Sequence, residues 1–442
     1  MLSVRPSRAE LVLVPRLRSS KTQVCNWVHG HCAKGTRKAL AELCSEWRDD
    51  YPLQLQALTR SPDQVTYRHK LSVMKRASTL SIQHSLLEKY RASNSRFRRL
   101  NVNYSGVMSN HPLSASHLCP QVETARRLAD EVLFPTAVAT DRGGVIPTAH
   151  LQALQDAGLY GIFSTETVGG SNLSNEDRNL VIEALAGGCL TTTFIWQQHA
   201  GPAAATAHCE GEAHRYAAGL ARGEIRGGVA FAHLLRQGAP VLRAEPCSDG
   251  WLISGTAPYI TGWGDVDIVL IAARWQDSII WGIVPGIESE TMSAHMLELA
   301  AVNSSSTAVI TFDQHLITSD DITSVVSFDS WLEGYRMGLR ANGSLALGVT
   351  GRCLSLLGPS ELDAEYASAR DRLDTASVDD LPAARANASD LCMRSATMLV
   401  AASGGGAIAT SHHAQLLARQ AMFLLVQSQT SEIRHHQLTR SM

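Results

Sequence analysis

The residue pattern of this chain changes from helical to strand-like near Gly227, and returns to helical about a hundred residues later. Between residues 115 and 226, apolar residues such as Val122 and Ala125 recur three or four positions apart, which predicts amphipathic helices. From 227 to about 325, short β-rich runs separated by turn residues replace that spacing. Because each pattern needs its own apolar partner surface, the order predicts a helical unit, a β domain and a second helical unit.

The predicted fold is therefore α+β, with two local signals that sharpen it. Asp249-Gly250 is typical of a β-hairpin turn, and Thr148 is a candidate N-cap for a helix that ends near Gly158. The four predicted segments are a basic N-terminal extension (1–110), an N-terminal helical domain (111–226), a middle β-barrel or sandwich domain (227–327) and a C-terminal four-helix bundle (328–442).

Composition excludes several classes of protein. Of the 442 residues, 45% are hydrophobic and 18% are charged, which is typical of a globular chain. The nine cysteines form no CxxC pairs and no Cys/His ligand spacing, so we expect neither disulfides nor a metal site, and a cytoplasmic location. No uninterrupted apolar run approaches 18 residues, so we expect no membrane span.

The charge is unevenly distributed along the chain. Residues 1–107 contain 19 Lys and Arg against 7 Asp and Glu, whereas the whole chain has a net charge of −2. Three interpretations stay open: a transit peptide that directs the protein to the mitochondrial matrix, a nucleic-acid-binding arm, or a segment outside the working protein, which then starts near Met108. Without a recognisable nucleic-acid motif the second interpretation is disfavoured, and we expect no nucleic-acid partner.

Two further motifs favour structural interpretations. The segment SGGGAIA, Ser403–Ala409, fits the GxGxxA pattern of dinucleotide-binding turns, but too few residues follow it for a doubly wound sheet. The histidine pairs His412-His413 and His435-His436 consist of neighbours, which diverge by about 100° on a helix and cannot chelate one ion together.

Several spaced motifs in residues 115–440 resemble the acyl-CoA dehydrogenase family. Along the chain these are LQDAGLYGIFSTETVGGS with Gly169-Gly170, GWLISGTAPYITGW, STAVITFDQHLI, EYASARDRL, SGGGAIAT and QTSEI. Each is weak alone, but their order and separations are similar to those of the family. The resemblance implies bound FAD, and a helical, β and helical domain order that matches the one predicted above.

The resemblance also implies which residues hold the flavin. It places Thr261 with its hydroxyl at the reactive edge of the isoalloxazine and Tyr259 as the flanking aromatic residue, while Trp263 packs beneath. A hydroxyl donor there polarises the ring, and the β wall excludes water.

The resemblance also assigns residues to the part of FAD away from the flavin ring. Arg370 matches the arginine that reaches the FAD pyrophosphate of a neighbouring subunit, a contact suited to its forked donors. Gly404 and Gly405 match a turn whose backbone approaches FAD, and Thr430 matches the threonine beside it. FAD binding between subunits implies an oligomer, commonly a dimer of dimers.

The catalytic carboxylate of the family is not evident. The resemblance implies a glutamate that removes the α-proton of a CoA thioester, yet Ser428 occupies its usual place, between Gln427 and Gln429. The alternative position falls near Gly338, and Glu333 is more than a turn away. No catalytic residue is therefore assigned.

The flavin-facing strand also departs from the family. Ala232 stands near the position of a common threonine, and His233 follows it. Histidine has a suitable pKa for a base, but a structural or surface role is the favoured interpretation of His233.

Three functions follow from these residues. The first is an FAD-dependent oxidoreductase that acts on the CH–CH group of an acyl-CoA in lipid metabolism such as fatty acid β-oxidation, with a flavoprotein as electron acceptor. In that case the base is displaced, or another subunit of a mixed oligomer supplies it. The second is a flavin-dependent monooxygenase, and the third a catalytically silent structural subunit. The first is favoured because the flavin-binding features remain.

Overall fold

The computed structural model of the protein describes residues 119–236 and 238–440. All of these residues belong to one unit. The basic extension predicted for residues 1–110, and the start proposed near Met108, lie outside the described residues.

Helices make up most of the described residues before Gly227. In chain order they are α1 (Pro120–Leu128), α2 (Phe134–Gly143), α3 (Thr148–Asp156), α4 (Asn175–Gly188), α5 (Leu190–Gln198), α6 (Ala200–Ala207) and α7 (Ala217–Ala221). A π-helical turn, Ala129–Leu133, joins α1 directly to α2. The predicted helical unit is confirmed.

Local chemistry sets where these helices begin. The Ser174 hydroxyl accepts a hydrogen bond from the Asp177 N–H at 3.0 Å and caps α4. The capping role predicted for Thr148 is wrong by one position, because Pro147 occupies the N-cap and Thr148 is the first helical residue.

The apolar faces of these helices meet around Trp196 and Leu185, each at most 1% exposed. Burial of each such side chain stabilises the fold by about 1.5–3 kcal/mol.

Eight strands follow the helices. They are β1 (Gly227–Ala230), β2 (Leu242–Cys247), β3 (Gly250–Ile260), β4 (Ile268–Trp275), β5 (Ser278–Pro285), β6 (Met292–Met296), β7 (Ala308–Thr318) and β8 (Ile322–Ser327). They pair in the order β6-β7-β3-β2-β4-β5-β8, and β1 branches from β4 in parallel. The strands enclose one apolar core, and a Cβ at Gly282 of β5 would lie 2.9 Å from Ile317 Cγ2 of β7. The predicted middle β domain is thus one branched sheet that folds over its own core.

A hairpin turn is present between β2 and β3, one residue earlier than the predicted Asp249-Gly250 pair. Cys247 pairs with Gly250, so Ser248 and Asp249 form the connection. Gly250 has a φ of +148°, which L side chains rarely adopt.

Six helices complete the described chain. They are α8 (Phe328–Met337), α9 (Leu339–Leu357), α10 (Leu362–Thr375), α11 (Leu381–Ser403), α12 (His413–Val426) and α13 (Ser431–Arg440). The four longest, α9 to α12, pack together as the predicted bundle.

Two of the four predicted bundle helices are each divided in the structure. The break between α8 and α9 lies at Gly338, whose N–H donates to the Tyr335 carbonyl in a tightened turn. The break between α12 and α13 contains Ser428, whose φ of +51° is incompatible with a continuing right-handed helix. Helical periodicity alone did not reveal either break.

One stretch of the described residues, Leu381–Ile408, is long and apolar enough to cross a membrane. In the structure most of this stretch is α11, whose buried residues, among them Leu391 and Ala396, lie in the bundle core. The expectation that the chain has no membrane span stays a prediction.

Charged pairs connect the helical parts of the unit. Arg419 of α12 binds Asp141 of α2, with Nη2 2.5 Å from Oδ2. Arg352 of α9 binds Asp130 at 2.5 Å, and its Nε donates to the Gly187 carbonyl at 2.6 Å. These contacts hold the bundle against the N-terminal helices.

His199, at the junction of α5 and α6, is held as a neutral imidazole. Its Nε2–H donates to the Leu220 carbonyl at 3.0 Å, and its Nδ1 accepts from the Gly227 N–H at 3.0 Å. Burial lowers the pKa of His199 to about 4. Protonation of Nδ1 would break the bond to Gly227, because a protonated nitrogen cannot accept.

We expect the free energy of unfolding to fall in mild acid because of His199. Its folded pKa lies below the unfolded value of about 6.5. The stability it contributes is therefore complete above about pH 6.5 and is lost as the pH falls toward 4, by up to about 1.4 kcal/mol per pH unit. Urea unfolding between pH 7 and 4 should show a shallower decline for His199→Gln than for wild type.

Exposed His295 provides the control for this pH dependence. His295→Gln should decline as steeply as wild type. Equal slopes for wild type and His199→Gln would show that His199 does not carry the effect.

Candidate functional site

The end of β3 places two of the predicted flavin-binding residues in contrasting environments. Tyr259 lies in an irregularity of the pairing with β7, has a φ of +59° and is 62% exposed. Thr261 is 2% exposed, and its Oγ1 lies 3.2 Å from Thr307 Oγ1. A left-handed conformation at a non-glycine residue stores about 1–3 kcal/mol, and such strain clusters at binding sites. The segment thus has an exposed aromatic side chain two residues before a buried hydroxyl.

The segment beyond Thr261 is tied to a neighbouring loop. The Gly262 N–H donates to the Ser305 carbonyl at 2.8 Å, and the Trp263 N–H donates to the Ser306 carbonyl at 2.9 Å. Trp263 is half-buried and packs against the core of the β domain, which confirms its predicted packing role.

His233, in the turn after β1, is 5% exposed. Its Nε2 lies 2.7 Å from the Ala272 carbonyl oxygen, so Nε2 carries the hydrogen. Burial lowers the pKa of His233, which keeps the ring neutral. With Arg236 and Arg274 it lines a cavity of about 250 Å³. The tie to a buried carbonyl favours the structural role over that of a base.

Arg370 is paired within its own chain. Its guanidinium binds the Glu183 carboxylate of α4 and lies 2.7 Å from the Tyr366 hydroxyl. The Tyr366 hydroxyl in turn donates to Glu183 Oε1 at 2.6 Å. These residues line a cavity of about 470 Å³ between α4, α9 and α10. The contact predicted between Arg370 and the FAD of a neighbouring subunit stays a prediction.

Gly404 and Gly405 lie in an exposed turn at the end of α11. A Cβ at either position would meet no atom within 4 Å, and Gly404 has a φ of +64°. Their backbone is therefore open to a group from outside the chain. Thr430 Oγ1 accepts from the Ile433 N–H at 3.2 Å at the start of α13.

The segment between α12 and α13 contains Ser428, where the resemblance places a glutamate. The Tyr335 hydroxyl of α8 donates to the Ser428 carbonyl at 3.2 Å. Gln427 Nε2 donates to Ser428 Oγ at 2.6 Å. The three residues in the middle of this segment, Gln427 to Gln429, are thus all uncharged.

The nearest acid along the chain is a poor substitute for the missing base. Glu432 begins α13, and its carboxylate lies 2.8 Å from Arg336 Nη2. Its own backbone N–H at the helix start, together with Arg336, holds the pKa of Glu432 at about 2. Because it stays ionised and paired, Glu432 accepts protons weakly. Exposed Glu333 and the exposed junction residue Gly338 supply no base either.

Sequence reasoning missed the residues that surround Ser428. Arg385 of α11 donates to Gln427 Oε1 at 3.3 Å, and Tyr335 reaches the segment from α8. The only sequence signal was an arginine within the small, apolar run LPAARANASDL.

The environment of three predicted residues suits FAD. Tyr259 offers an exposed ring, Thr261 a hydroxyl two residues later in the same segment, and Gly404 a backbone that no side chain covers. These residues would hold the cofactor. Arg370 suits it less in this arrangement, because Glu183 already occupies its forked donors.

Comparison with known proteins identifies relatives of the N-terminal domain and of the fold. Residues 121–224 match the profile "Acyl-CoA dehydrogenase, N-terminal domain". The chain is 30% identical over 165 residues to 3-sulfinopropanoyl-CoA desulfinase from Variovorax paradoxus. This match covers 36% of this chain and 41% of the relative. It is 22% identical over 272 residues to the mitochondrial short-chain specific acyl-CoA dehydrogenase of Bos taurus, and this match covers 59% of this chain and 63% of the relative. The chain thus spans less than two thirds of the length of these relatives.

Solved structures share the fold. Butyryl-CoA dehydrogenase from Megasphaera elsdenii gives a TM-score of 0.63 at 16% identity, over 73% of this chain and 96% of that one. The glutaryl-coenzyme A dehydrogenase glutaryl-CoA complex gives 0.64 at 16% identity, over 72% and 94%. At this identity the likeness shows the fold alone. With the domain match, it leads to one assignment: residues 121–224 are an acyl-CoA dehydrogenase N-terminal domain, and the described residues have the fold of these dehydrogenases.

Proposed function

We propose that the protein is an FAD-dependent oxidoreductase of acyl-CoA dehydrogenase type, acting on the CH–CH group of a CoA thioester. The observation that carries the proposal is the exposed, left-handed Tyr259 followed two residues later by the buried hydroxyl of Thr261, at the end of β3. When bound, FAD would accept two electrons from the acyl group. Tyr259 would cover the cofactor and exclude water, and Thr261 would orient it by a hydrogen bond.

Titration with FAD tests this proposal. We expect the purified protein to gain flavin absorbance, and Tyr259→Ala to weaken FAD binding by about two- to tenfold, because an aromatic contact contributes about 0.5–1.5 kcal/mol. The control is Leu316→Ala, which removes another exposed apolar side chain from the β domain and should leave the affinity unchanged. A wild-type protein that binds no FAD contradicts the proposal.

A second candidate function is cleavage of a sulfino group from an acyl-CoA. One observation favours it: residues 427–429 contain no carboxylate to remove an α-proton, and a 3-sulfinopropanoyl-CoA desulfinase is among the relatives. Sulfite release from 3-sulfinopropanoyl-CoA would support this function. Reduction of an electron-acceptor dye by butyryl-CoA would support the first.

The assembly and setting of the protein are also proposals. We infer a homo- or hetero-oligomer, commonly a dimer of dimers, that passes electrons to an acceptor flavoprotein in fatty acid β-oxidation. We place it in the cytoplasm, or in the mitochondrial matrix if residues 1–107 contain a transit peptide. Light scattering tests the assembly. Reductase-dependent oxygen consumption would instead indicate the monooxygenase, and colourless protein that gains a role only with a partner would indicate the silent subunit.

A further inference from the structure

Arg385 is a buried cation for which the described part of the chain supplies no carboxylate. It lies on α11 and is 1% exposed. The guanidinium donates to Ser389 Oγ and, at 3.2 Å, to the Leu424 carbonyl, while its Nε has no partner among the described residues. Burial lowers the pKa of Arg385 to about 10. A cation in such a place is destabilising unless negative charge or acceptors compensate it.

The hydrogen bonds between Arg385, Gln427 and Ser428 are each donated in the direction from Arg385 toward Ser428. A guanidinium can only donate, so Gln427 Oε1 accepts from Arg385 Nη2 at 3.3 Å. The amide nitrogen of Gln427 is then the end that faces Ser428, and it donates to Ser428 Oγ at 2.6 Å. Because Ser428 Oγ accepts this bond, its own O–H is left to donate, and no acceptor for it lies among the described residues.

The backbone holds Ser428 in a strained and accessible position. Its φ is +51°, and the Tyr335 hydroxyl fixes its carbonyl at 3.2 Å. The residue is only half-buried, so a ligand can reach the hydroxyl. Strain of this kind persists where surrounding contacts over-determine a functional conformation.

We propose that Ser428 donates a hydrogen bond to an anionic oxygen of the bound acyl group, with Arg385 and Gln427 as positioning residues. The substrates selected are acyl-CoA thioesters whose acyl end carries a carboxylate or a sulfinate. This inference rests on the proposed function, since the family resemblance places Ser428 beside the acyl group. A glutamate at this position would repel such a substrate, whereas a hydroxyl donor next to a buried cation attracts it.

Calorimetric titration of the FAD-loaded protein tests the inference with three thioesters. Butyryl-CoA has a neutral acyl end, succinyl-CoA a carboxylate and 3-sulfinopropanoyl-CoA a sulfinate. We expect wild type to bind at least one of the anionic thioesters about tenfold or more tightly than butyryl-CoA, the magnitude of a charge-assisted hydrogen bond. Comparison of succinyl-CoA with 3-sulfinopropanoyl-CoA identifies the anion.

The decisive variant is Gln427→Glu. A carboxylate can only accept, so it takes the bond from Arg385, cannot donate to Ser428, and adds negative charge beside the ligand. Affinity for the anionic thioester should fall about tenfold or more, while that for butyryl-CoA changes less than about twofold. The pairing with Arg385 should keep the thermal midpoint at or above that of wild type.

Gln429→Glu is the matched control, because it places the same charge on the other side of Ser428. Gln429 Oε1 accepts from Arg434 Nε at 3.0 Å, so a carboxylate there gains a cationic partner. We expect this variant to keep the preference for the anionic thioester. A second pair tests the hydroxyl: Ser428→Ala should lose the preference, and Ser428→Asn, which tolerates the left-handed conformation and retains a donor, should keep it.

The outcomes separate this inference from the proposed function. A wild type without preference for an anionic acyl end overturns the inference but not the proposed function, and so does a Gln427→Glu variant that binds all three thioesters as wild type does. If Gln427→Glu fails to fold, the Ser428 pair decides: equal binding by Ser428→Ala and wild type overturns the inference. Wild type that binds neither FAD nor any thioester overturns both proposals.

Discussion

Ser428→Glu is expected to give the protein rapid α-proton exchange on butyryl-CoA. The substitution places a carboxylate where the family resemblance puts the base, in a half-buried segment that contains no other charged side chain between Gln427 and Gln429. A positioned base contributes about 10²–10⁴-fold to proton transfer, so we expect exchange to rise within that range. Mass spectrometry of butyryl-CoA incubated with the protein in D₂O measures the exchange directly.

The uncharged isostere Ser428→Gln is the control for this experiment. It fills the same volume without a base and should exchange protons no faster than wild type. If both variants exchange at the wild-type rate while still binding butyryl-CoA, Ser428 does not lie beside the α-carbon, and the base position inferred from the family does not apply to this chain.

Glu183→Ala is expected to lower the free energy of unfolding more than any other substitution proposed here. Glu183 and Arg370 have side chains that are 8% and 18% exposed, and Tyr366 donates to the same carboxylate. Removal of one partner of a buried pair leaves the other charge uncompensated, which costs about 3–5 kcal/mol. Urea unfolding should show this as a lower free energy of unfolding and a lower midpoint.

An exposed ion pair of the bundle provides the comparison. Arg394 and Glu365 are 44% and 50% exposed, so Glu365→Ala should cost only about 0–1 kcal/mol. Similar losses for the two variants would contradict the structural role of the buried pair. If Arg370 also binds the FAD pyrophosphate of a neighbouring subunit, added FAD should stabilise Glu183→Ala more than wild type, because it supplies the missing negative charge.

The order of domains could be predicted because periodicity is a local property. Apolar residues spaced for a helix in α1, and β-rich runs around the turn at Asp249, report their own conformation without knowledge of distant partners. Errors occurred where a single backbone angle decided the outcome. The helix predicted through Ser428 breaks there because contacts from Gln427 and Tyr335 hold a left-handed residue.

The candidate site could be predicted only in part. The pattern around Tyr259 and Thr261 indicated a flavin wall, and their contrasting exposure in the structure supports that proposal. The roles of Gly404, Gly405 and Thr430 toward FAD stay predictions. No sequence pattern joined Arg370 to Glu183, because the two residues lie far apart in the chain and meet only where side chains of α10 reach α4 beside a cavity.

The sequence by itself determined the helical, β and helical order, and that Ser428, flanked by two glutamines, stands where a catalytic carboxylate was expected. Both facts depend on residue identity and short-range spacing. Only the tertiary structure decided which way the hydrogen bonds run from Arg385 through Gln427 to Ser428, and that Arg370 is neutralised within its own chain. These features depend on the packing of α11 against α12 and on side chains of α10 that reach Glu183 of α4, and such long-range contacts leave no periodic signal in the sequence.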